Sequence, residues 1–344
     1  MADNQETAMN QDEQQPLNIF ITGGDNGVGL TLAREAVKNG HNVFAASSKG
    51  TIGAKRISNI GAYAVYPELT REGSLRSAIM LAKADVVVNC AAQDIIGLPQ
   101  YRIDTGKIAA TIEESAEALV AAAGKLGVKR LIHLSPAYIY GNTDDAVTED
   151  AHIVRGSKLL NHVAEAEEAI LDGGIAGYVV RTGFIYGGWH DSMLALAELM
   201  RTGKGIAKGK GQASWIHEDD LALALLKLVE LSSDDATANV LNISDGEPMS
   251  HSDFMSLFGE LYGSGEPNGI NPLFVPLRTN PTQIELLNQN TVIDSSKARE
   301  VLDWEPKTAS KAAGIEKAML VWRALEASDD TPSTATDSKA LVKV

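Results

Sequence analysis

Short continuous apolar runs recur along the chain, separated by longer segments of mixed polarity. The runs are Ile19–Ile21, His41-Asn-Val-Phe-Ala-Ala-Ser47, Ala62–Tyr66, Asp85–Ala92, Arg130–Leu134, Gly177–Arg181 and Val240–Ile243. Several are continuously apolar rather than alternating, as expected of strands covered on both faces. In the intervening segments apolar residues return every three to four positions. Val28, Leu30, Leu32, Ala33, Ala36 and Val37 make one such face; Leu75, Ala78, Ile79 and Ala82, within Ser74–Ala84, make another. Further helices are predicted over Ile103–Gly127, Ser157–Leu171, Ser192–Met200, up to about Leu231, and over His251–Tyr262 with Ser250 or Ser252 as its cap. Strands alternating with helices predict an α/β fold, a doubly wound parallel sheet with right-handed crossovers. After Gly187 the alternation loosens. Residues 17–187 therefore read as the sheet domain. Residues 188–326 read as a smaller C-terminal lobe over the carboxyl edge of the sheet, with 213–243 partly returning to it, Leu273–Pro276 extended and shorter helices running to about Leu325. Residues 1–16 and 327–344 read as disordered tails from their polar composition.

One junction stands out. Leu17-Asn-Ile-Phe-Ile-Thr-Gly-Gly-Asp-Asn-Gly-Val-Gly29 runs from an apolar strand through a glycine-rich turn into a helix. Gly23 and Gly27 permit backbone conformations that a Cβ penalises, and Gly29 permits close helix–strand packing. The helix N-terminus then offers N–H groups and a positive dipole end to phosphates. Glycine turns also occur between strands and helices that bind nothing. Here a second strand, ending at Ser47, completes a βαβ unit within about 30 residues, the spacing of a dinucleotide site.

Composition narrows the partners. The chain has 344 residues, 44% of them hydrophobic, and a formal net charge of −15. Such a surface repels nucleic acid and anionic membranes, so neither is an expected partner. The single cysteine, Cys90, lies inside an apolar run and cannot form an internal disulfide. No apolar stretch approaches the ~20 residues that span a bilayer, and the polar, acidic N-terminus resembles no targeting peptide. A soluble, cytoplasmic protein is expected. No His/Asp/Glu spacing suggests a metal site.

The order of motifs resembles the short-chain dehydrogenase/reductase superfamily, of the extended or atypical kind that includes NAD-dependent epimerases and dehydratases. The resemblance spans Leu17 to Ala324. Thr22-Gly-Gly-Asp-Asn-Gly-Val-Gly29 resembles the cofactor turn, with TGxxxGxG spacing. Glu68-Leu69 stands where the family has an Asp-Leu pair beside the adenine. Asn89-Cys-Ala-Ala92 resembles the strand end along the cofactor. Leu134-Ser-Pro-Ala-Tyr-Ile-Tyr-Gly141 resembles Ser-Ser-x-x-Val-Tyr-Gly, and Arg181-Thr-Gly-Phe-Ile-Tyr-Gly187 resembles Arg-Pro-x-x-Val-Tyr-Gly. Trp215-Ile-His-Glu-Asp-Asp-Leu-Ala222 resembles Phe-Ile-His-Val-Asp-Asp-x-Ala, and Glu300-Val-Leu-Asp-Trp-Glu-Pro306 resembles Leu-Gly-Trp-x-Pro. The resemblance implies a Rossmann-like fold and NAD(P) as cofactor. It implies Thr22, Gly23, Asn26, Gly27, Val28, Gly29, Glu68, Leu69, Ala91, Ala92 and Thr182 as cofactor contacts, and homodimerisation through Ile103–Gly127 and Ser157–Leu171.

The family's proton relay does not carry over. Its serine position falls on Pro136, with Ser135 as neighbour, and Tyr-x-x-x-Lys is absent: one register puts Val154 and Lys158 there, the other Leu159 and Val163. Replacement acids or orienting groups are sought among Tyr138, His190 and Ser135, with Tyr140 and Asp94 also near the expected cleft. His133 reads as a core histidine and Asp220 as a helix cap. The Lys204–Gln212 run is either an anion-binding loop or a solvated one. At the end of the second strand, Ser47, Ser48 and Lys49 replace the acid usual in NAD sites, and Lys55 and Arg56 follow. That pattern favours NADP, with NAD as the alternative. Three readings stay open. One is an NAD(P)-dependent oxidoreductase or epimerase/dehydratase acting on a small carbonyl, enoyl or sugar-like molecule with a non-standard proton donor. Another is a catalytically silent NADP(H)-binding regulator or scaffold. The last is a relative that kept the fold and lost the cofactor.

Overall fold

The computed structural model describes residues 15–91, 105–203, 208–231, 239–270 and 281–327. Its strands in chain order are β1 (Asn18–Thr22), β2 (Asn42–Ala46), β3 (Tyr63–Val65), β4 (Val86–Asn89), β5 (Arg130–Pro136), β6 (Ala176–Thr182), β7 (Phe184–Tyr186), β8 (Gln212–Ala213), β9 (Trp215–His217), β10 (Val240–Ile243) and β11 (Met249–Ser250). Seven of them form one parallel sheet in the order β10-β6-β5-β4-β1-β2-β3. All seven come from the apolar runs. Those runs are apolar because helices cover both faces: every residue of β4 and β5 is buried.

The helices are α1 (Gly27–Lys38), α2 (Gly50–Asn59), α3 (Glu72–Ala82), α4 (Thr105–Gly124), α5 (Lys158–Leu171), α6 (Asp191–Arg201), α7 (Glu218–Glu230), α8 (His251–Tyr262), α9 (Pro281–Asn288), α10 (Ser296–Leu302) and α11 (Lys311–Ala327). α1 packs with α7, while α3, α4 and α5 pack in a row, so the two groups sandwich the sheet. The chain leaves β1 toward β2 and β3, then returns to β4 and continues the other way. β1 and β4 therefore flank the topological switch point, with Thr22 opposite Asn89 at its carboxyl end. In open α/β sheets this crevice is where ligands bind.

A second apolar cluster holds the C-terminal part. Met193, Leu196 and Met200 of α6, Phe254 and Phe258 of α8, and Ile315 and Trp322 of α11 meet Phe184, Tyr186 and Trp215. Trp215 and Phe254 stack with centroids 4.0 Å apart. The helical spacing of α6 and α8 supplies these residues, and Ser250 caps α8 by accepting the Asp253 N–H (3.0 Å).

The structure departs from the sequence reading in several places. α2 carries only two buried residues, Gly53 and Ile57, and gave no helical pattern. Asp220 does not cap α7; the His217 ring does so by accepting the Asp219 N–H (3.2 Å). Asp220 instead accepts N–H groups from Lys307 (2.8 Å) and Thr308 (3.1 Å), tying the two C-terminal motifs together. In the described part of the 204–212 run, Lys210 and Gln212 are exposed while its glycines are buried. Lys208 pairs with Glu266 (2.6 Å), and Gly209 lies against the Leu287 backbone so closely that a Cβ there would sit 1.8 Å from its carbonyl oxygen. Finally, α11 reaches Ala327, where the C-terminal tail was placed. The segment Leu273–Pro276 and nearly all of both proposed tails lie outside the described residues.

Candidate functional site

The glycine turn lies at the switch point. Gly23 and Gly27 adopt φ of 62° and 47°, in the left-handed region. A Cβ at Gly24 would lie 2.7 Å from the Ala45 Cβ, and one at Gly29 only 2.2 Å from the Gly23 carbonyl oxygen. The turn is thus a cradle closed to side chains, with the α1 N-terminus at its rim, and it fits a dinucleotide pyrophosphate. Asn26 and Val28 are buried within it. Thr22 faces the neighbouring strand, its hydroxyl donating to Asn89 Oδ1 (2.6 Å). The Asn89 side chain also accepts the Ala91 N–H (3.3 Å) and bonds His133 Nδ1 (3.0 Å). Burial lowers the His133 pKa to about 4, so it is the neutral core histidine the strand pattern predicts. Ala92 and Asp94 lie outside the described residues.

The end of β2 is not free of acid. Asp25, inside the glycine turn and buried, directs its carboxylate there. Oδ2 accepts from the Ser47 hydroxyl (2.9 Å), the Ser48 N–H (2.7 Å) and the Lys49 N–H (3.0 Å). The Lys49 ammonium pairs with Asp191, the first residue of α6, and Arg56 lies 3.6 Å from the same carboxylate. The premise of the NADP expectation, cations beside Ser47–Lys49 with no acid opposing them, therefore does not hold. Glu68 is exposed and paired with Arg71 (3.2 Å), and Leu69 packs on the sheet core.

The segment from Gly187 to Asp191 crosses beside the turn. The Trp189 carbonyl accepts the Gly27 N–H (2.8 Å), and the Trp189 N–H donates to Glu218 Oε1 (2.8 Å). The Gly188 carbonyl accepts the Trp322 indole N–H (2.8 Å). His190 is fully buried, with its Nδ1 2.9 Å from the Ser192 hydroxyl, rather than standing open in a loop. Glu218 is buried, and desolvation raises its pKa to about 8, so its carboxyl is neutral at pH 7. Its Oε2 has no hydrogen-bond partner. A signal for it existed: the resembled motif carries Val where this chain has Glu218.

Where β5 and β6 end, a small, half-open cavity lies. Its described lining is Ala137, Tyr138, Thr182, Gly183, Phe184, Ala213, Ser214, Leu286, Gln289 and Thr291. None of these carries a charge. Two of these residues, Tyr138 and Thr182, have hydroxyls that are buried without a hydrogen-bond partner. Burial pushes the Tyr138 phenol far above its ordinary value, so it stays protonated and can only donate or accept as a neutral group. The Gln289 amide is committed to the Tyr138 carbonyl (2.8 Å) and Thr291 Oγ1 (2.7 Å). Gln289 and Thr291 follow a helix remote in sequence, and no local pattern pointed to them.

Ser135 and Tyr140 serve a different group. The Ser135 hydroxyl donates to buried Glu167 (2.5 Å), which also pairs with Arg181 (2.7 Å). Arg181 donates to the Tyr140 hydroxyl (2.9 Å), which donates to Asn242 (2.8 Å). This network stitches β5, α5, β6 and β10 together, and Ser135 is fully buried within it. α5 carries no tyrosine; Leu159 and Val163 lie in the core. Among the described residues no three His, Cys, Asp or Glu side chains cluster as for a metal.

A doubly wound parallel sheet with a glycine-rich turn at its switch point defines a dinucleotide-binding α/β protein. Comparison places it more closely. Residues 19–244 match the NAD dependent epimerase/dehydratase family, and the chain belongs to that family. It is similar to the 3-diazoavenalumate denitrifying reductase of a Streptomyces species, 26% identical over 314 residues, covering 87% of this chain and 99% of that one. It is also similar to the dTDP-4-dehydrorhamnose reductase of Mycolicibacterium smegmatis, 27% identical over 227 residues, 62% of this chain and 60% of the relative. Among solved structures, the UDP-glucose 4-epimerase of Thermotoga maritima with UDP-glucose superposes with a TM-score of 0.72 at 20% identity, covering 90% of this chain and 100% of that one. The Bordetella bronchiseptica enzyme WbmG with NAD and UDP gives 0.70 at 18%, covering 93% and 99%. These two share the fold. No described helix is long and apolar enough to cross a membrane.

Proposed function

We propose that the chain is a nicotinamide-dinucleotide-dependent reductase of a small uncharged acceptor molecule. The observation that carries this is that Tyr138 and Thr182, two residues lining an uncharged cavity at the carboxyl edge of the sheet, each hold a buried hydroxyl with no hydrogen-bond partner. A buried donor without a partner costs about 1–3 kcal/mol, and a ligand with an acceptor atom recovers that. The apolar remainder of the wall suits a neutral body. Both relatives described above are named as reductases, which favours reduction over epimerisation.

The turn Thr22–Gly29 is the part of the chain that would hold the pyrophosphate, with Asn89 and Ala91 alongside. The dinucleotide supplies hydride when bound. The remaining chemistry belongs to the chain. Tyr138 is too weak an acid, at its raised pKa, to serve as an efficient proton relay, for which a value near the working pH is best. Its role is to donate a hydrogen bond that polarises the acceptor, together with Thr182. With no Tyr-Lys pair on α5, substrates whose reduction takes its proton from water fit best: polarised enoyl or imine groups, activated carbonyls, and diazo compounds of the kind for which the Streptomyces relative is named.

The test is a panel of such acceptors with NADH and NADPH, followed by oxidation of the dihydronicotinamide. Tyr138→Phe and Thr182→Val are each expected to lower kcat/KM about tenfold, the worth of one hydrogen bond to a bound polar group, with dinucleotide affinity unchanged in Tyr138→Phe. A panel that gives no turnover while the dinucleotide binds would favour the second reading, a silent dinucleotide-binding protein. The absence of tyrosine from α5 is the observation behind that second reading.

A further inference from the structure

The ion pairs beside Ser47–Lys49 have a consequence for cofactor choice. In this fold the end of β2 is where the adenosine ribose lies, and a basic residue there receives the 2′-phosphate that distinguishes NADP from NAD. The chain has two cations in place, Lys49 and Arg56, yet both face Asp191. Lys49 and Asp191 are partly shielded, with side chains 18% and 31% exposed, so solvent does not fully screen the pair. Asp191 also sits at the start of α6, where the helix dipole favours a carboxylate. Burial raises the Asp191 pKa, but Lys49 and Arg56 outweigh it and hold the carboxyl below its usual value. The segment carrying Asp191 is fixed to the turn by the Gly27–Trp189 hydrogen bond (2.8 Å). On the other side, the Arg56 guanidinium donates to the Asp25 carbonyl (3.2 Å), and the Asp25 carboxylate takes the Ser48 and Lys49 amides that a phosphate would otherwise use.

We propose that Asp191 is the specificity-determining residue for the dinucleotide: it occupies Lys49 and Arg56 as an internal anion, and the chain selects NAD(H) against NADP(H). The proposal rests on the dinucleotide reading above. A 2′-phosphate must displace Asp191 and then lie near two carboxylates, Asp191 and Asp25. The ribose hydroxyl of NAD meets no such opposition.

Titration of the full chain with NADH and with NADPH, read by cofactor fluorescence and calorimetry, tests this without any substrate. The wild type is expected to bind NADH about tenfold or more tighter than NADPH, a difference of about one charge contact. Asp191→Asn frees both cations and should tighten NADPH about tenfold, with NADH changed less than about threefold. Lys49→Gln added to Asp191→Asn should remove that gain. Tighter NADPH binding by the wild type, or equal effects of Asp191→Asn on both cofactors, overturns the proposal and leaves the dinucleotide reading standing. Binding of neither cofactor by wild type and variants overturns that reading as well.

Discussion

Ser135 and Tyr138 leave the same strand end and meet different surroundings. The Ser135 hydroxyl is spent on Glu167, inside a fully buried ion pair with Arg181. Tyr138, a residue of the cavity wall, keeps its hydroxyl buried and unpartnered. Sequence placed both at the carboxyl edge but could not separate them, because the partner of Ser135 lies on α5 and is decided by packing. Their variants should separate in the same way. Glu167→Ala leaves the Arg181 guanidinium buried and unpaired, and is expected to cost about 3–5 kcal/mol of stability in urea denaturation. Ser135→Ala should cost about 1 kcal/mol, the worth of one hydrogen bond, and Tyr138→Phe should cost nothing, since its hydroxyl has no partner to lose. A Tyr138→Phe variant as unstable as Glu167→Ala would show that the phenol is structural. Asp25 gives the complementary lesson. It was visible in the turn, yet its carboxylate works at the end of β2, a contact between segments that strand and helix patterns do not register.

The central strands of the main sheet were legible because each is apolar in the sequence for the same reason that it is buried in the sheet. α2 was not, since it buries only Gly53 and Ile57. It is held in place by tertiary contact: a Cβ at Gly53 would lie 2.1 Å from the Ser47 Oγ. The Gly187–Asp191 segment was legible only as a loop. Its bonds to Gly27, Glu218 and Trp322 join elements far apart in the chain. The turn and α1 make the sharpest prediction at this scale. In Gly29→Ala the new Cβ meets the Gly23 backbone, at 2.2 Å from its oxygen and 2.8 Å from its carbon. Neither atom is the end of a flexible side chain, so the turn must open. We expect at least a tenfold loss of dinucleotide affinity and a lower Tm. An alanine variant that binds as the wild type does would show that the turn is not the phosphate cradle.

Across the whole molecule, buried titratable groups shape the response to pH. His133 and His251 are buried with pKa values lowered from 6.5 to about 4 and about 3 by desolvation. The unfolded chain binds more protons than the folded one between those values and 6.5, so their contribution is lost as pH falls through that window. Glu218 acts in the opposite sense. Its pKa rises from 4.5 to about 8, the folded chain binds the extra proton between them, and stability falls as pH climbs toward 8. Each proton changes the slope by about 1.4 kcal/mol per pH unit. Below 6.5 the two histidines outweigh the one carboxyl; above it the carboxyl acts alone. These three groups therefore place maximal stability near pH 6.5, and Glu218→Gln should flatten the decline between pH 6.5 and 8 in a thermal-melt series. An unchanged alkaline limb in Glu218→Gln would show that this carboxyl is not the neutral group described.

The central claim is that this chain moves a hydride from a bound nicotinamide to an uncharged acceptor seated against Tyr138 and Thr182. The measurement that tests it most directly follows the label: NADH deuterated at its transferable position, incubated with the acceptor panel and the purified chain, and the products examined by mass spectrometry. One non-exchangeable deuterium in a product, transferred by the wild type and about tenfold more slowly by Tyr138→Phe, is the predicted result. Bound NADH that surrenders no deuterium to any acceptor would contradict the claim and leave a dinucleotide-binding protein without turnover.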